Sequence, residues 1–229
     1  MVLHKKGSAT LRMLFLIPAL VLPSCATRKA TVFSGVLEWR LGEFEVSLPP
    51  GLSRTGNPRL VDSPYGKAVV FDGKGDAFFL ATNPLLGLRT FTVEVVVRPD
   101  AHGPKEQRFL HIGEPHGDRM LIETRLTDDG QLYLDSYLQS GESNRTLKDE
   151  SLLHPVGRWC HVALVVDDGK MVNYVNGKVE LEGDLDFDPI DTGRTSIGVR
   201  LNRVSWFKGA VYKVLITPRA LKPDELTRH

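Results

Sequence analysis

Short runs of alternating apolar and polar residues fill the chain from residue 35 onwards, and turn residues separate them. A period of two places every second side chain on one face of a β-strand, so each run predicts a half-buried strand. Strong turn signals such as Asp128-Asp129-Gly130 and Asn176-Gly177 join several of them. Only residues 218–226 have a helical pattern, which predicts a single turn. The predicted strands lie within 68–80 (a hairpin), 90–97, 108–113, 119–126, 131–138, 161–166, 171–175, 178–181, 195–201 and 209–217.

This succession of short strands predicts an all-β fold, a two-sheet antiparallel β-sandwich. The 21 glycines and 14 prolines agree with many turns, and 229 residues are enough for one domain with a full core. Lys and Arg number 29 against 28 for Asp and Glu, so no net field favours nucleic acid, and we expect no such partner.

The first 25 residues have the order of an export signal. Basic residues precede the apolar run Met13–Leu22, which is shorter than the about 20 residues of a membrane span but suits a signal peptide. The run ends in Leu22-Pro23-Ser24-Cys25, which resembles the bacterial lipobox with Cys25 as the lipidated residue. Because Pro23 departs from the usual pattern, cleavage without lipidation is the alternative.

These segments predict a signal peptide over residues 1–25, a tether over 26–34 and one domain over 35–229. Ala26 after the cysteine resembles the sorting pattern of outer-membrane lipoproteins. We therefore expect an exported protein at the bacterial outer membrane, attached to it through the lipid anchor only.

Trp159-Cys160-His161 places a thiol next to an imidazole, which suggests a nucleophile and its base. Neighbouring residues in a strand point to opposite faces, so Cys160 and His161 cannot hydrogen-bond to each other. We predict that Cys160 lies in the core, on the face of Val162 and Leu164, and that His161 is a structural histidine on the other face.

Several segments together resemble the laminin-G-like branch of the concanavalin A-like jelly rolls. They occur in the order and spacing of that family and are Ala68–Gly73, Phe91–Pro99, Trp159–Asp168, Tyr174–Gly177, Ser196–Gly198 and Phe207–Ile216. The resemblance implies a lectin-like sandwich with one concave sheet. It implies recognition more than catalysis, because the family consists mostly of binding and adhesion modules.

The resemblance also raises the question of calcium, which many relatives hold at the edge of the sandwich. The acidic pair common in their last strand is missing from Gly209–Val214, although Asp72, Asp76 and Asp62 could still supply oxygen ligands. We expect no cofactor other than a calcium ion at Asp72 and Asp76. The favoured alternative for each aspartate is that it only shapes a turn.

Three patterns keep an enzyme open as the alternative. Asp184, Asp186 and Asp188 at period two resemble the carboxylates of glycoside hydrolases with this fold. Arg125 and the segment Trp206–Tyr212 resemble parts of polysaccharide lyases. His111–Asp118 has metal-capable side chains, but its glycines and proline predict a loop.

Side chains that suit sugar recognition share faces of the predicted strands. Aromatic rings stack on sugars, and arginine forks bind hydroxyls or carboxylates. The predicted ligand-binding residues are Glu123, Arg125, Tyr137, Arg200, Asn202 and Trp206. For each of them, packing or cross-strand ion pairing is the alternative.

The sequence therefore predicts a non-catalytic recognition module of the cell envelope that binds a glycan or an envelope protein. We assign no catalytic residue. The alternatives are a polysaccharide-active enzyme of the same fold, either a lyase or a glycoside hydrolase, and a purely structural envelope module.

Overall fold

The structure is a computed structural model that describes residues 1–2, 35–44 and 49–227. The chain divides into two compact units, Met1–Ala30 and Thr31–His229, and the fold described below belongs to the second. The predicted signal peptide, Cys25 and the tether lie outside the described residues apart from residues 1–2. Within the described ranges, no helix is long and apolar enough to cross a membrane.

Sixteen strands in the described residues form two antiparallel sheets, as the alternating pattern predicts. The first sheet has the order β14-β13-β12-β6-β16-β4-β3, and β1 also pairs with β16. Its strands are β1 (Leu37–Arg40), β3 (Arg59–Ser63), β4 (Gly66–Asp72), β6 (Thr90–Pro99), β12 (Cys160–Asp167), β13 (Lys170–Val175), β14 (Lys178–Asp184) and β16 (Lys208–Thr217). A short 3-10 helix, Leu41–Glu43, follows β1.

The second sheet has the order β10-β9-β8-β7-β15-β5-β2, and β11 also pairs with β9. Its strands are β2 (Leu52–Thr55), β5 (Ala77–Leu80), β7 (Glu106–Gly113), β8 (Arg119–Leu126), β9 (Gln131–Ser140), β10 (Ser143–Lys148), β11 (His154–Pro155) and β15 (Arg194–Ile197).

The main core lies between the two sheets and takes every second residue of their strands. On β12, Val162 and Leu164 join this core and Cys160 packs against it, which confirms the inward row predicted from the sequence. Burial raises the pKa of the Cys160 thiol to about 12. The thiol is therefore a poor nucleophile at neutral pH.

The outward face of β12 is covered by the segment that follows β16. Ala163 and Val165 pack there against Leu221 and Leu226. This segment contains a hydrogen-bonded turn between Lys222 and Glu225 in place of the predicted helical turn.

A buried carboxylate fixes the same segment to the first sheet. Glu94 is 2% exposed and lies 3.0 Å from the Nε2 atom of His161. It also accepts a hydrogen bond from the Thr227 N–H at 2.7 Å. The prediction that His161 is a structural histidine is confirmed by its burial in this contact.

Two segments differ from the strand patterns considered in the sequence. The strand predicted over 195–201 ends at Ile197, where Gly198 has φ +91°. The segment with Asp186 and Asp188 is not a strand, since β14 ends at Asp184. Both of these aspartates are exposed, and Phe187 between them enters the core.

Candidate functional site

The outer face of the second sheet carries a row of charged side chains. On β8, Met120 and Ile122 point into the core, so the alternate residues Arg119, Glu123 and Arg125 point outwards. The register of the sheet brings residues of β7, β9 and β10 beside this row, with Glu123 opposite Asp135 and Leu121 opposite Tyr137.

These outward residues enclose a shallow depression that we call the arginine groove. It contains four arginines, Arg108, Arg119, Arg125 and Arg200, and two acids, Glu123 and Asp135. Leu121, Tyr137 and Thr146 complete the lining. Its volume of about 170 Å³ is well below the roughly 300–1,000 Å³ of pockets that enclose a drug-sized ligand. The groove therefore suits one sugar unit or a terminal group.

The floor of the groove is a buried ion-pair network. The Nε atom of Arg108 lies 2.8 Å from Oε1 of Glu123, and Arg125 donates to Oδ2 of Asp135 at 2.9 Å. Glu106, at the rim, contacts both Arg108 and Arg125. Burial raises the pKa of the Glu123 carboxyl to about 7, while Arg108 opposes the rise and Asp135 adds to it. The two acids hold the arginines in place from below and are not exposed to a ligand.

Arg119 lies at another part of the groove and is held by neutral groups. Its Nη1 donates to the Gly117 carbonyl at 2.6 Å, and its Nη2 donates to the Tyr137 hydroxyl at 3.4 Å. Its guanidinium also stacks on the Tyr137 ring, 4.9 Å from the ring centre. The Tyr137 hydroxyl in turn donates to Gln139 at 2.9 Å.

Arg200 reaches the groove from the loop between β15 and β16 and donates to the Pro115 carbonyl at 3.3 Å. Burial lowers its pKa, and the positive charges of Arg119 and Arg108 lower it further. Within the described part of the chain, neither Arg119 nor Arg200 has a carboxylate within 4.0 Å.

A buried histidine joins the two loops behind these arginines. His111 is fully buried, and its Nδ1 accepts the N–H of Leu201 at 3.2 Å while its Nε2 contacts the Glu114 carbonyl at 3.0 Å. Burial lowers its pKa to about 3, so the ring is neutral. His111 thus positions the loop of Arg200 and the loop that supplies the Pro115 carbonyl.

Four of the six predicted ligand-binding residues, Glu123, Arg125, Tyr137 and Arg200, line this one groove. Glu123 is a buried partner of Arg108 and not an exposed ligand-binding group. Asn202 and Trp206 lie outside the lining, and Trp206 packs against a cluster that includes Phe79. The prediction that Arg200 and Asn202 share one face of a strand is wrong, since β15 ends at Ile197 and this stretch is a loop.

Five further lining residues are outside the predicted ligand-binding set: Arg108, Arg119, Leu121, Asp135 and Thr146. Arg119 lies an even number of residues from Arg125 on β8, so the alternation of side chains predicts that both point to the same face. Thr146 has no comparable signal, because its place depends on the pairing of β10 with β9. The outward direction of Arg108 could not be predicted from alternation, because a β-bulge between Arg108 and Leu110 shifts the register of β7.

The aspartates considered for calcium shape a turn. Oδ1 of Asp72 accepts the backbone N–H groups of Lys74 and Gly75 at 2.8 and 2.9 Å. Asp76 accepts the backbone N–H of Asn57 at 2.6 Å. Among the described residues, no group of three or more His, Cys, Asp or Glu side chains could hold a metal ion. Calcium binding at Asp72 and Asp76 stays a prediction, to be tested by melting the protein with and without a chelator.

The family of the chain follows from its sequence. The laminin-G-type family description of the concanavalin A-like lectin/glucanases superfamily matches residues 72–227. The chain belongs to this superfamily. The resemblance and the fold class inferred from the strand pattern are thereby confirmed. Among curated proteins, none matches this concanavalin A-like chain.

Solved structures with the same concanavalin A-like fold include sugar complexes. Domain 4 of an extracellular GH43 arabinanase from Geobacillus stearothermophilus, in complex with arabinotriose, has a TM-score of 0.59 at 24% identity and covers 76% of this chain and 85% of its own. The CBM40 of the Ruminococcus gnavus IT-sialidase, bound to α2,3-sialyllactose, has a TM-score of 0.56 at 18% identity. The match covers 69% of this chain and 94% of the CBM40 chain. At these identities the likeness shows the fold alone.

Proposed function

We propose that the arginine groove is a non-catalytic recognition site for a glycan. The observation that carries this proposal is the convergence of arginine forks, the Tyr137 ring and the Thr146 hydroxyl on one outer face of a paired sheet. Planar donors and an aromatic ring are the groups that orient sugars in binding sites. Strands hold all of these groups except Arg200 in place before the ligand arrives, so little ordering cost opposes binding.

The burial of the acids in the groove supports binding without catalysis. A glycosidase needs two carboxyl groups that reach the glycosidic bond, one as acid and one as nucleophile or base. Glu123 and Asp135 are each 2% exposed and are engaged by Arg108 and Arg125. A lyase of this fold is the remaining catalytic alternative, with Tyr137 as its only lining phenol in the described residues.

Neighbours in the superfamily support a sugar as the ligand. The arabinanase domain was solved with arabinotriose and the CBM40 with sialyllactose. An envelope protein as partner, or a purely structural role, would leave the groove without a sugar. The experiment below separates sugar binding from these two alternatives.

Glycan-array screening followed by isothermal titration calorimetry tests the proposal. Tyr137→Ala should abolish or strongly weaken binding with the fold intact, whereas Arg59→Ala, at an exposed arginine of β3, should leave it unchanged. Silence on a broad glycan array would overturn the proposal. Release of new reducing ends or unsaturated uronates from polysaccharides would show an enzyme instead.

We also propose that the protein is exported and anchored at the bacterial outer membrane through lipid on Cys25. The support is the apolar run Met13–Leu22 followed by the lipobox-like Leu22–Cys25. Cys25→Ala should abolish labelling by palmitate and free the protein from membranes. A wild-type protein that takes up no label and is not membrane-bound would overturn the lipid anchor.

A further inference from the structure

Resting on the proposed glycan function, we infer that the groove selects an acidic sugar, whose carboxylate binds between the guanidinium groups of Arg119 and Arg200. This defines both the substrate class and the subsite within the groove. The inference follows from the distribution of charge among the four arginines.

Only two of the four arginines in the groove form ion pairs with carboxylates of the protein. Arg108 and Arg125 each lie within 4.0 Å of at least two of the carboxylates of Glu106, Glu123 and Asp135 and form an ion-pair network with them. Among the described residues, Arg119 and Arg200 have no such partner. The two guanidinium groups at their part of the groove therefore have no carboxylate in direct contact, although Glu123 acts on Arg200 from a greater distance.

The neutral contacts of Arg119 and Arg200 use few of their N–H donors. Arg119 donates to the Gly117 carbonyl and the Tyr137 hydroxyl, and Arg200 donates to the Pro115 carbonyl. The buried Nε–H of each arginine has no hydrogen-bond acceptor in the described residues. Each guanidinium is held by a loop carbonyl, and the Nη–H donors that these contacts leave unused can bind a ligand.

A carboxylate fits this arrangement better than a neutral hydroxyl. Two guanidinium groups in one small groove repel each other, and an anion between them removes that repulsion and accepts charge-assisted hydrogen bonds. The planar fork of arginine matches the two oxygens of a carboxylate. The small volume of the groove indicates a single acidic sugar unit.

The rest of the lining can accommodate the sugar ring that carries the carboxylate. Thr146 lies directly opposite Tyr137 on the neighbouring strand β10 and offers a hydroxyl to the ring substituents. Leu121, opposite Tyr137 on β8, provides an apolar patch beneath them. The chain as a whole has a formal net charge of +1, so attraction to the acid is local and not a general affinity for polyanions.

The test uses matched oligosaccharides and calorimetric titration of the full mature protein. The panel contains galacturonate, glucuronate, mannuronate and sialyl oligosaccharides, the methyl ester of each, their neutral counterparts and a 6-sulfated neutral sugar. We expect at least one acid to bind and its methyl ester, which keeps the ring but loses the charge, to bind at least ~10-fold more weakly.

Arg119→Gln and Arg200→Gln should each reduce affinity for that acid by ~10-fold or more, with a smaller loss of affinity for the ester. Arg59→Gln, at an exposed arginine of the first sheet, is the matched control and should change nothing. Melting curves of all variants show whether the fold is intact. A glutamine variant that unfolds is replaced by the lysine variant, which keeps the charge but loses the fork and should still lose affinity.

Failure of this inference differs from failure of the proposed function. Equal affinity for an acid and its ester would overturn the acidic subsite but not glycan recognition. The same holds if only a neutral sugar binds and its affinity falls in Tyr137→Ala but not in the arginine variants. Binding of the sulfated sugar alone would overturn the inference that the subsite selects a carboxylate. Binding of no member of the panel would overturn the inference, and silence on the wider glycan array would overturn the proposed function as well.

Discussion

Glu123 and Asp135 lie directly opposite each other on neighbouring strands, and each is 2% exposed. Like charges in this position destabilise a sheet unless other groups compensate them. Arg108 and Arg125 provide that compensation, so the floor of the arginine groove is a coupled set of buried charges. Its contribution to stability depends on the protonation of Glu123.

Glu123→Gln should change how stability depends on pH. The pKa of Glu123 is raised from 4.5 to about 7 in the folded state. A group with a raised pKa contributes stability that is fully present below its unfolded pKa and is lost as the pH rises through its folded pKa. The wild type should therefore lose stability relative to the variant as the pH rises from 4.5 to beyond 7.

Urea denaturation across a pH series measures this difference in unfolding free energy. Glu142→Gln, at an exposed glutamate, is the matched control. A difference between wild type and Glu123→Gln that does not vary over this range would contradict the burial of an ionisable Glu123.

Gly198→Ala should weaken both the fold and the groove. Gly198 has φ +91°, and a Cβ there would lie 2.6 Å from the Phe71 ring. We expect a loss of more than ~2 kcal/mol, since backbone strain of about 1–3 kcal/mol adds to the clash. Because the residue begins the loop of Arg200, glycan affinity should fall too.

Gly177→Ala is the control for backbone strain alone. Gly177 has φ +76° in an open hairpin turn, with no atom within 4 Å of an added Cβ. Chemical denaturation and calorimetric titration should show a smaller loss of stability and unchanged affinity. Equal losses in the two variants would mean that the contact with Phe71 is unimportant.

Leu226→Ala should destabilise the domain by about 2–4 kcal/mol, through a cavity under the segment that covers the first sheet. Leu226 is 4% exposed and packs in one cluster with Ala163 and Val165. Leu60→Ala, at a leucine that is 44% exposed, should stay within about 0.5 kcal/mol of wild type. Denaturant unfolding of both variants checks the prediction, and a similar small effect in both would mean that the segment is not docked.

The thiol of Cys160 should resist alkylation in the folded protein. Burial raises its pKa to about 12, so the reactive thiolate is scarce at neutral pH. In a Cys25→Ala background, iodoacetamide should label the folded protein slowly and the denatured protein completely. Rapid labelling under native conditions would place the thiol at the surface.

The arginine groove shows where sequence reasoning succeeded and where it did not. Period two placed Arg125 and Tyr137 on outward faces, because the pleat of a strand alternates side chains whatever the fold around it. The same rule failed for Asn202, since Gly198 ends β15 and turns the following residues into a loop. It also predicted that Glu123 contacts the ligand, although Glu123 is buried and forms an ion pair with Arg108 beneath the groove.

Local pattern by itself determined the strands, the antiparallel sandwich, the inward direction of Cys160 and the outward direction of His161, because alternation and turn signals depend on residues close in the chain. Only the tertiary structure decided which strands are neighbours. Arg200 lies far in sequence from Arg119, and long-range pairing and loop packing bring both to one groove. A binding site on a sandwich arises from this register between strands, which no single strand encodes.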